Sequence, residues 1–150
     1  MKILLLTAAT GGGHIRAANA VEEYIRENTG WNVRTVDCLK AVGRLLDKTV
    51  CDSYLFMAKK APMLFGRLYK RTNKQNMISH LVPKLSGLFS NMLYPAIEGY
   101  NPDVIITTHP FATEMVADLK GDGLVKAPLI CIITDYGAHR AYIAREVDSY

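Results

Sequence analysis

Three of the four histidines follow short apolar runs. His14 comes after Leu4-Leu5-Leu6 and the turn Gly11-Gly12-Gly13. His109 comes after Val104-Ile105-Ile106, and His139 comes after Leu129–Ile133 with Asp135 between them. Imidazole exchanges a proton near neutral pH, so a histidine at a ligand site is a ready acid or base. The glycine turn adds a second capability. Glycines let backbone N–H groups approach a ligand, and a helix starting there favours an anion. The same helix end disfavours an imidazolium, so a neutral His14 would be suited to accept a proton.

Familiar motifs fit this turn poorly. A phosphate-binding P-loop needs GxxxxGK[ST], and no such Lys follows. Gly11 and Gly13 supply two glycines of the dinucleotide fingerprint GxGxxG, but Arg16 holds the third position. Asp37 stands 24 residues beyond Gly13, where a ribose-binding acid belongs, so a dinucleotide site stays open as an alternative. His14, His109, Asp135 and His139 can be drawn as a metal site, yet nothing in their spacing demands one and none is expected. No serine lies in GxSxG. Cys38, Cys51 and Cys131 are odd in number, lack a CxxC pair and are expected to be small core residues rather than nucleophiles or disulfides.

The elements that must position these residues alternate. Lys2–Thr7 predicts a buried strand, His14–Asn28 a helix with Ala17, Ala18, Val21 and Ile25 on one face, and Asn32–Asp37 a second strand. Leu39 to about Lys60 predicts a helix interrupted by Pro62, with 63–74 open between helix and loop. Met77–Glu98 predicts a helix kinked at Pro83 and broken late by Pro95. Asp103–Thr108 predicts a central strand, Phe111–Lys120 a helix and Pro128–Thr134 a fourth strand. Such alternation predicts an α/β fold: a Rossmann-like parallel sheet with helices on both faces and right-handed crossovers. Ligands of such sheets gather at the carboxyl ends of the strands, where the three histidines belong. The closing Val147-Asp148-Ser149-Tyr150 has the look of another strand beginning, as expected of a piece of a longer protein.

Composition narrows the class. At 150 residues with 49% apolar and 21% charged side chains, the chain has the size and make-up of about one globular domain. No apolar run approaches the roughly 20 residues of a spanning helix, and the N-terminal one leads into a turn rather than a cleavage site. A cytoplasmic protein is expected. The net charge of +4 conceals an asymmetry. No acidic residue lies between Asp52 and Glu98, while that stretch holds Lys59, Lys60, Arg67, Lys70, Arg71, Lys74 and Lys84. It also holds three of the four Phe, including Phe65, and four of the six Met. Basic and bulky apolar residues without acids suit an anionic membrane surface, each engaged charge contributing about 1 kcal/mol. Lys59, Lys60, Phe65, Arg67, Lys70, Arg71 and Lys74 are the expected contacts. No nucleic-acid motif accompanies them, so no nucleic-acid partner is expected.

The ordered motifs resemble a known family. Thr7-Ala8-Ala9-Thr10-Gly11-Gly12-Gly13-His14 with Ala17-Ala18 is similar to the opening of the monogalactosyldiacylglycerol synthase and processive diacylglycerol glucosyltransferase family. Pro102-Asp103-Val104-Ile105-Ile106-Thr107-Thr108-His109-Pro110 resembles its third-strand segment, and Ile133-Thr134-Asp135-Tyr136, His139 and Val147–Tyr150 its later segments. The resemblance implies the N-terminal, acceptor-binding half of a glycosyltransferase of the two-Rossmann-domain (GT-B) type, with the C-terminal nucleotide-sugar domain lying outside this chain. It implies transfer of a hexose from a nucleotide sugar, usually UDP-linked, to diacylglycerol or a glycosyl-diacylglycerol, with no resident cofactor or metal. His14 takes the place of the base, Gly11, Gly12 and Gly13 that of a loop facing phosphates or a lipid head group, and His109, Asp135 and His139 the acceptor side of the cleft. The basic stretch corresponds to the membrane-associating region, which implies peripheral attachment to the inner face of the cell membrane. Beside this stand two other readings from the residues: a stand-alone nucleotide- or dinucleotide-binding domain, and a non-catalytic membrane-docking module.

Overall fold

The apolar N-terminal run lies at the centre of the molecule. Lys2–Thr7 forms β1, and every residue from Ile3 to Thr7 is buried. A strand buried on both faces needs a neighbour on each edge and a layer on each face. β2 (Asn32–Asp37) pairs along one edge, with Thr7 opposite Asp37, and β3 (Val104–Thr107) along the other, with Leu6 opposite Thr107. β4 (Leu129–Cys131) extends the sheet beyond β3, giving the order β2-β1-β3-β4 with all pairs parallel. The computed structural model describes residues 1–9, 12–43, 82–135 and 142–150, with the backbone alone for 82–86.

Strand periodicity sorts the core into two layers. Ile3 and Leu5 of β1 meet Ile25 and Val21 of α1 (Gly12–Asn28), with Val33 and Ile106 beside them. Leu4 and Leu6 point the other way. They join Cys38 and Val42 of α2 (Cys38–Gly43), Leu93 and Ile97 of α3 (Val82–Tyr100), and Ala112, Met115, Val116 and Leu119 of α4 (Pro110–Gly121). Helices therefore cover both faces, as the alternation predicts. The chain moves outward from β1 to β2 and then returns across β1 to β3. The switch of direction falls between β1 and β3, where open sheets of this kind form their ligand crevice.

Several boundaries differ from expectation. α1 begins at Gly12, so Gly12 and Gly13 form its first turn rather than a loop. Pro95 does not break α3, which continues to Tyr100. Pro95 is exposed while Leu93 and Ile97 are buried, and packing of that face carries the helix across the one missing N–H donor. The helix stops instead at Asn101, whose φ of 52° places it in the left-handed region used to end helices. β3 and β4 are shorter than the strands expected over Asp103–Thr108 and Pro128–Thr134. Beyond Cys131 the chain still bonds β3, with Ile132 N–H donating to Thr107 at 2.8 Å. The closing segment does start to pair with the sheet, through a parallel bridge between Ile130 and Ser149.

Cys38 and Cys131 are buried free thiols, and burial pushes the Cys38 thiol well above its ordinary range. Cys51 lies outside the described residues, as do the part of the expected Leu39–Lys60 helix beyond Gly43 and the expected start of α3 at Met77. Phe89 and Met92, counted among the apolar residues of the acid-free stretch, are half-buried against the core. Both pack against the α2–α4 cluster, and Phe89 meets Phe111 edge to face at 5.7 Å between ring centroids.

Candidate active site

The carboxyl ends of β1 and β3 meet the first turns of α1 and α4. β3 stops at Thr107, and His109 has extended backbone angles (φ −133°, ψ 135°) that make it the N-cap of α4. Its Nδ1 accepts the Phe111 N–H at 3.1 Å, and Pro110 occupies the first helical position, where no N–H is needed. A nitrogen that accepts carries no proton, so the His109 proton sits on Nε2. Only 8% of His109 is exposed. Burial, followed by the neighbouring His14, lowers its pKa from an ordinary 6.5 to about 4, against the opposing pull of Asp135. His109 is a neutral imidazole at physiological pH.

His14, third residue of α1, faces His109 edge to face, with ring centroids 4.4 Å apart and planes at 70°. Its Nδ1 lies 2.9 Å from the backbone oxygen of Thr108. A carbonyl only accepts, so the contact requires hydrogen on His14 Nδ1. The Thr134 hydroxyl oxygen lies 2.6 Å from the same nitrogen and donates its own hydrogen to the Thr108 oxygen at 3.2 Å. The Thr108 hydroxyl lies 3.0 Å from both the His14 backbone oxygen and Thr7 Oγ1, tying the ends of β1, β3 and α1 together.

In the neutral form of the ring, hydrogen on Nδ1 leaves the lone pair on His14 Nε2. Asp135 Oδ1 stands 3.9 Å from that nitrogen, and the side chains of His14 and Asp135 are 14% and 37% exposed. The other carboxylate oxygen, Oδ2, accepts from the Tyr142 hydroxyl at 3.0 Å. Tyr142 is fully buried, and burial first among the causes pushes its phenol up to about 12, so it stays a donor. A neutral imidazole with a fixed tautomer, an open Nε2 and a carboxylate close by can take a proton and stabilise the imidazolium that results. At about 4 Å the attraction is roughly 4 kcal/mol for an effective dielectric of 20, reduced here by the access of water to Asp135.

Of the residues expected at the strand ends, the structure brings His14, His109 and Asp135 into one cluster. Gly12 and Gly13 stand directly before His14 in the exposed first turn of α1. A Cβ at Gly13 would meet nothing within 4 Å, so packing does not require glycine there and its backbone stays approachable. Gly11, His139, Lys59, Lys60, Phe65, Arg67, Lys70, Arg71 and Lys74 lie outside the described residues. Thr108, Thr134 and Tyr142 were not singled out in the sequence. The two threonines carried a faint signal, each next to a candidate residue just past an apolar run. Tyr142 carried none. Among the described residues no group of three or more His, Cys, Asp and Glu side chains is arranged to hold a metal ion.

The monogalactosyldiacylglycerol (MGDG) synthase family model matches residues 14–150. Processive diacylglycerol beta-glucosyltransferases of Bacillus thuringiensis (strain Al Hakam), Bacillus cereus (strain AH187) and Bacillus anthracis (strain CDC 684 / NRRL 3495) are each 27% identical to the chain over 153 residues. Each match covers 99% of this chain and 38% of the relative, so the chain spans well under half the length of these relatives. No solved structure matches it.

Proposed function

The chain belongs to the monogalactosyldiacylglycerol synthase family, and from that premise we propose that it forms the acceptor-binding half of a glycosyltransferase that builds membrane glycolipids. The observation that carries this reading is the 2.9 Å contact between His14 Nδ1 and the Thr108 carbonyl oxygen, which places hydrogen on Nδ1 and turns Nε2 toward the crevice as the proton acceptor. In the proposed reaction a hydroxyl of diacylglycerol, or of a glycosyl-diacylglycerol, loses its proton to His14 Nε2. Its oxygen attacks the anomeric carbon of the sugar, and the bond from that carbon to the nucleotide diphosphate breaks. The nucleotide diphosphate, UDP in this reading, leaves with the bonding electrons. Asp135 steadies the imidazolium, and Tyr142 and Thr134 keep the two groups aligned. His109 forms the wall beside His14, and His139 completes the acceptor side. A second, C-terminal domain holds the nucleotide sugar. The first turn of α1, entered through Gly11, Gly12 and Gly13, presents its N–H groups to the diphosphate or to an acidic head group.

The lipid acceptor is met at a membrane surface. Among the described residues no helix is long and apolar enough to cross a membrane. In this reading attachment is assigned to Lys59, Lys60, Phe65, Arg67, Lys70, Arg71 and Lys74, on the inner face of the cell membrane. The acid-free composition of their stretch supports this assignment.

One experiment addresses acceptor and surface together. The protein comprising this chain and its nucleotide-sugar domain is given UDP-hexose and vesicles containing diacylglycerol, with or without anionic lipid. Mass spectrometry of the lipids should show hexosyl-diacylglycerol, formed fastest on anionic vesicles. The variant with Arg67→Gln, Lys70→Gln and Arg71→Gln should lose that preference and sediment with the vesicles at least tenfold less. No hexosyl-lipid, or sugar delivered equally well to soluble alcohols, would overturn the assignment.

A further inference from the structure

Across β1 from the His14 cluster, one buried carboxylate oxygen has no hydrogen-bond partner among the described residues. Asp37 ends β2, and its Oδ1 caps α2 by accepting the backbone N–H groups of Leu39 and Lys40 at 3.0 and 3.4 Å. Its Oδ2 is buried and receives no hydrogen bond from the described residues. The Lys40 ammonium stands 3.8 Å from Oδ2, close enough to attract but too far to donate. Leaving a buried charged acceptor unpaired is unfavourable, and such an orphan calls for an explanation.

The surroundings supply one. Asp37 lines a cavity of about 400 Å³ between α1 and α2, over the carboxyl ends of β1 and β2. Thr7, Asn19, Thr35 and Lys40 share its wall. Small-molecule sites run from about 300 to 1,000 Å³ and carry a few polar groups of this kind. The Lys40 side chain, 78% exposed, stands over the orphan oxygen and has room in solvent to swing aside.

The chemistry of the wall selects the ligand. An anion would be repelled by the carboxylate. A metal ion would need further acidic or imidazole ligands, and the described residues offer no such group. Neutral hydroxyl donors remain. One hydroxyl can donate to Asp37 Oδ2 while its neighbour accepts from Lys40 Nζ, and the Asn19 carboxamide can do either. We propose that the Asp37 cavity binds the adjacent hydroxyls of a sugar ring. The ring could belong to a hexose or to the ribose of a nucleoside, and neither case depends on the transfer reaction proposed above.

The test is an amide NMR titration of this chain with methyl β-D-glucopyranoside in one arm and uridine in the other. Saturable shifts confined to the cavity wall are expected in at least one arm, and the responding arm identifies the ring. Asp37→Asn keeps a capping oxygen for α2, because Asn caps as well as Asp, but removes the charged acceptor. It should weaken binding by about tenfold or more. Lys40→Gln, on an exposed side chain, should weaken it severalfold without touching the cap. His14→Ala should leave binding unchanged, so loss of the sugar site and loss of the transfer reading can be told apart. No saturable shift in either arm, or wild-type affinity in both Asp37→Asn and Lys40→Gln, would overturn the proposal.

Discussion

Replacing His14 by Ala is expected to lower the proposed glycosyl transfer by about 10²–10⁴-fold, the usual contribution of a positioned general base. The imidazole is the group at the β1–β3 crevice whose proton-accepting atom has been left open by its own hydrogen bonding. Removing it leaves the rest of the network in place. Thr134 still donates to the Thr108 oxygen, and Tyr142 still holds Asp135. The fold should survive, because the buried layers on either face of β1 do not include His14. The check is kcat for the proposed transfer to diacylglycerol, measured on this chain joined to the proposed nucleotide-sugar domain, beside vesicle sedimentation and a urea unfolding midpoint. Transfer should fall while the other two change little. A loss of less than tenfold would remove His14 from the base role, whatever its geometry.

His109 carries the second large effect, which concerns stability rather than rate. The folded imidazole titrates near 4 and the unfolded one near 6.5. Between those values the unfolded chain binds a proton that the folded chain refuses, so stability falls as pH drops. The contribution of neutral His109 is fully present above about pH 6.5 and lost as the pH approaches about 4. It amounts to about 3 kcal/mol, a large share of the 5–15 kcal/mol that typically holds a domain together. Asn at this position keeps an N-cap acceptor for Phe111 without a titrating ring. Urea midpoints of wild type and His109→Asn, taken from pH 7 to pH 4, should diverge steadily, with wild type losing more on acidification. Parallel curves would mean that His109 accepts its proton in place and is not held neutral by burial.

The sheet was legible because its strands are short apolar runs separated by clear helical periods. Lys2–Thr7 and Asn32–Asp37 emerge with the expected bounds. Helix ends were less so, since they depend on packing across the fold. Pro95 reads as a break until Leu93 and Ile97 on the opposite face are seen to hold α3 together. Phe89 and Met92 read as part of an oily basic surface because composition cannot tell a buried face from an exposed one. The meeting of His14, His109 and Asp135 followed from topology alone: residues just past parallel strands must gather at one edge. The supporting contacts did not follow. A backbone carbonyl such as that of Thr108 has no identity in a sequence, and Tyr142 reaches Asp135 only through the tertiary fold. Asp37 was visible as the acid at the end of β2 in a damaged dinucleotide fingerprint. Family membership displaces the stand-alone dinucleotide domain, while the orphan oxygen of Asp37 is a feature the fingerprint did not contain.

The most direct measurement of the central claim is the tautomer of His14. Long-range ¹H–¹⁵N correlation of the imidazole rings at pH 8, assigned by comparison with the His14→Ala chain, reports which ring nitrogen carries hydrogen. Hydrogen on Nδ1, with the chemical shift of Nε2 showing a bare lone pair, is the predicted result. Hydrogen on Nε2 would contradict the account, because the bond to Thr108 could not then exist and the atom assigned to accept the proton would already hold one.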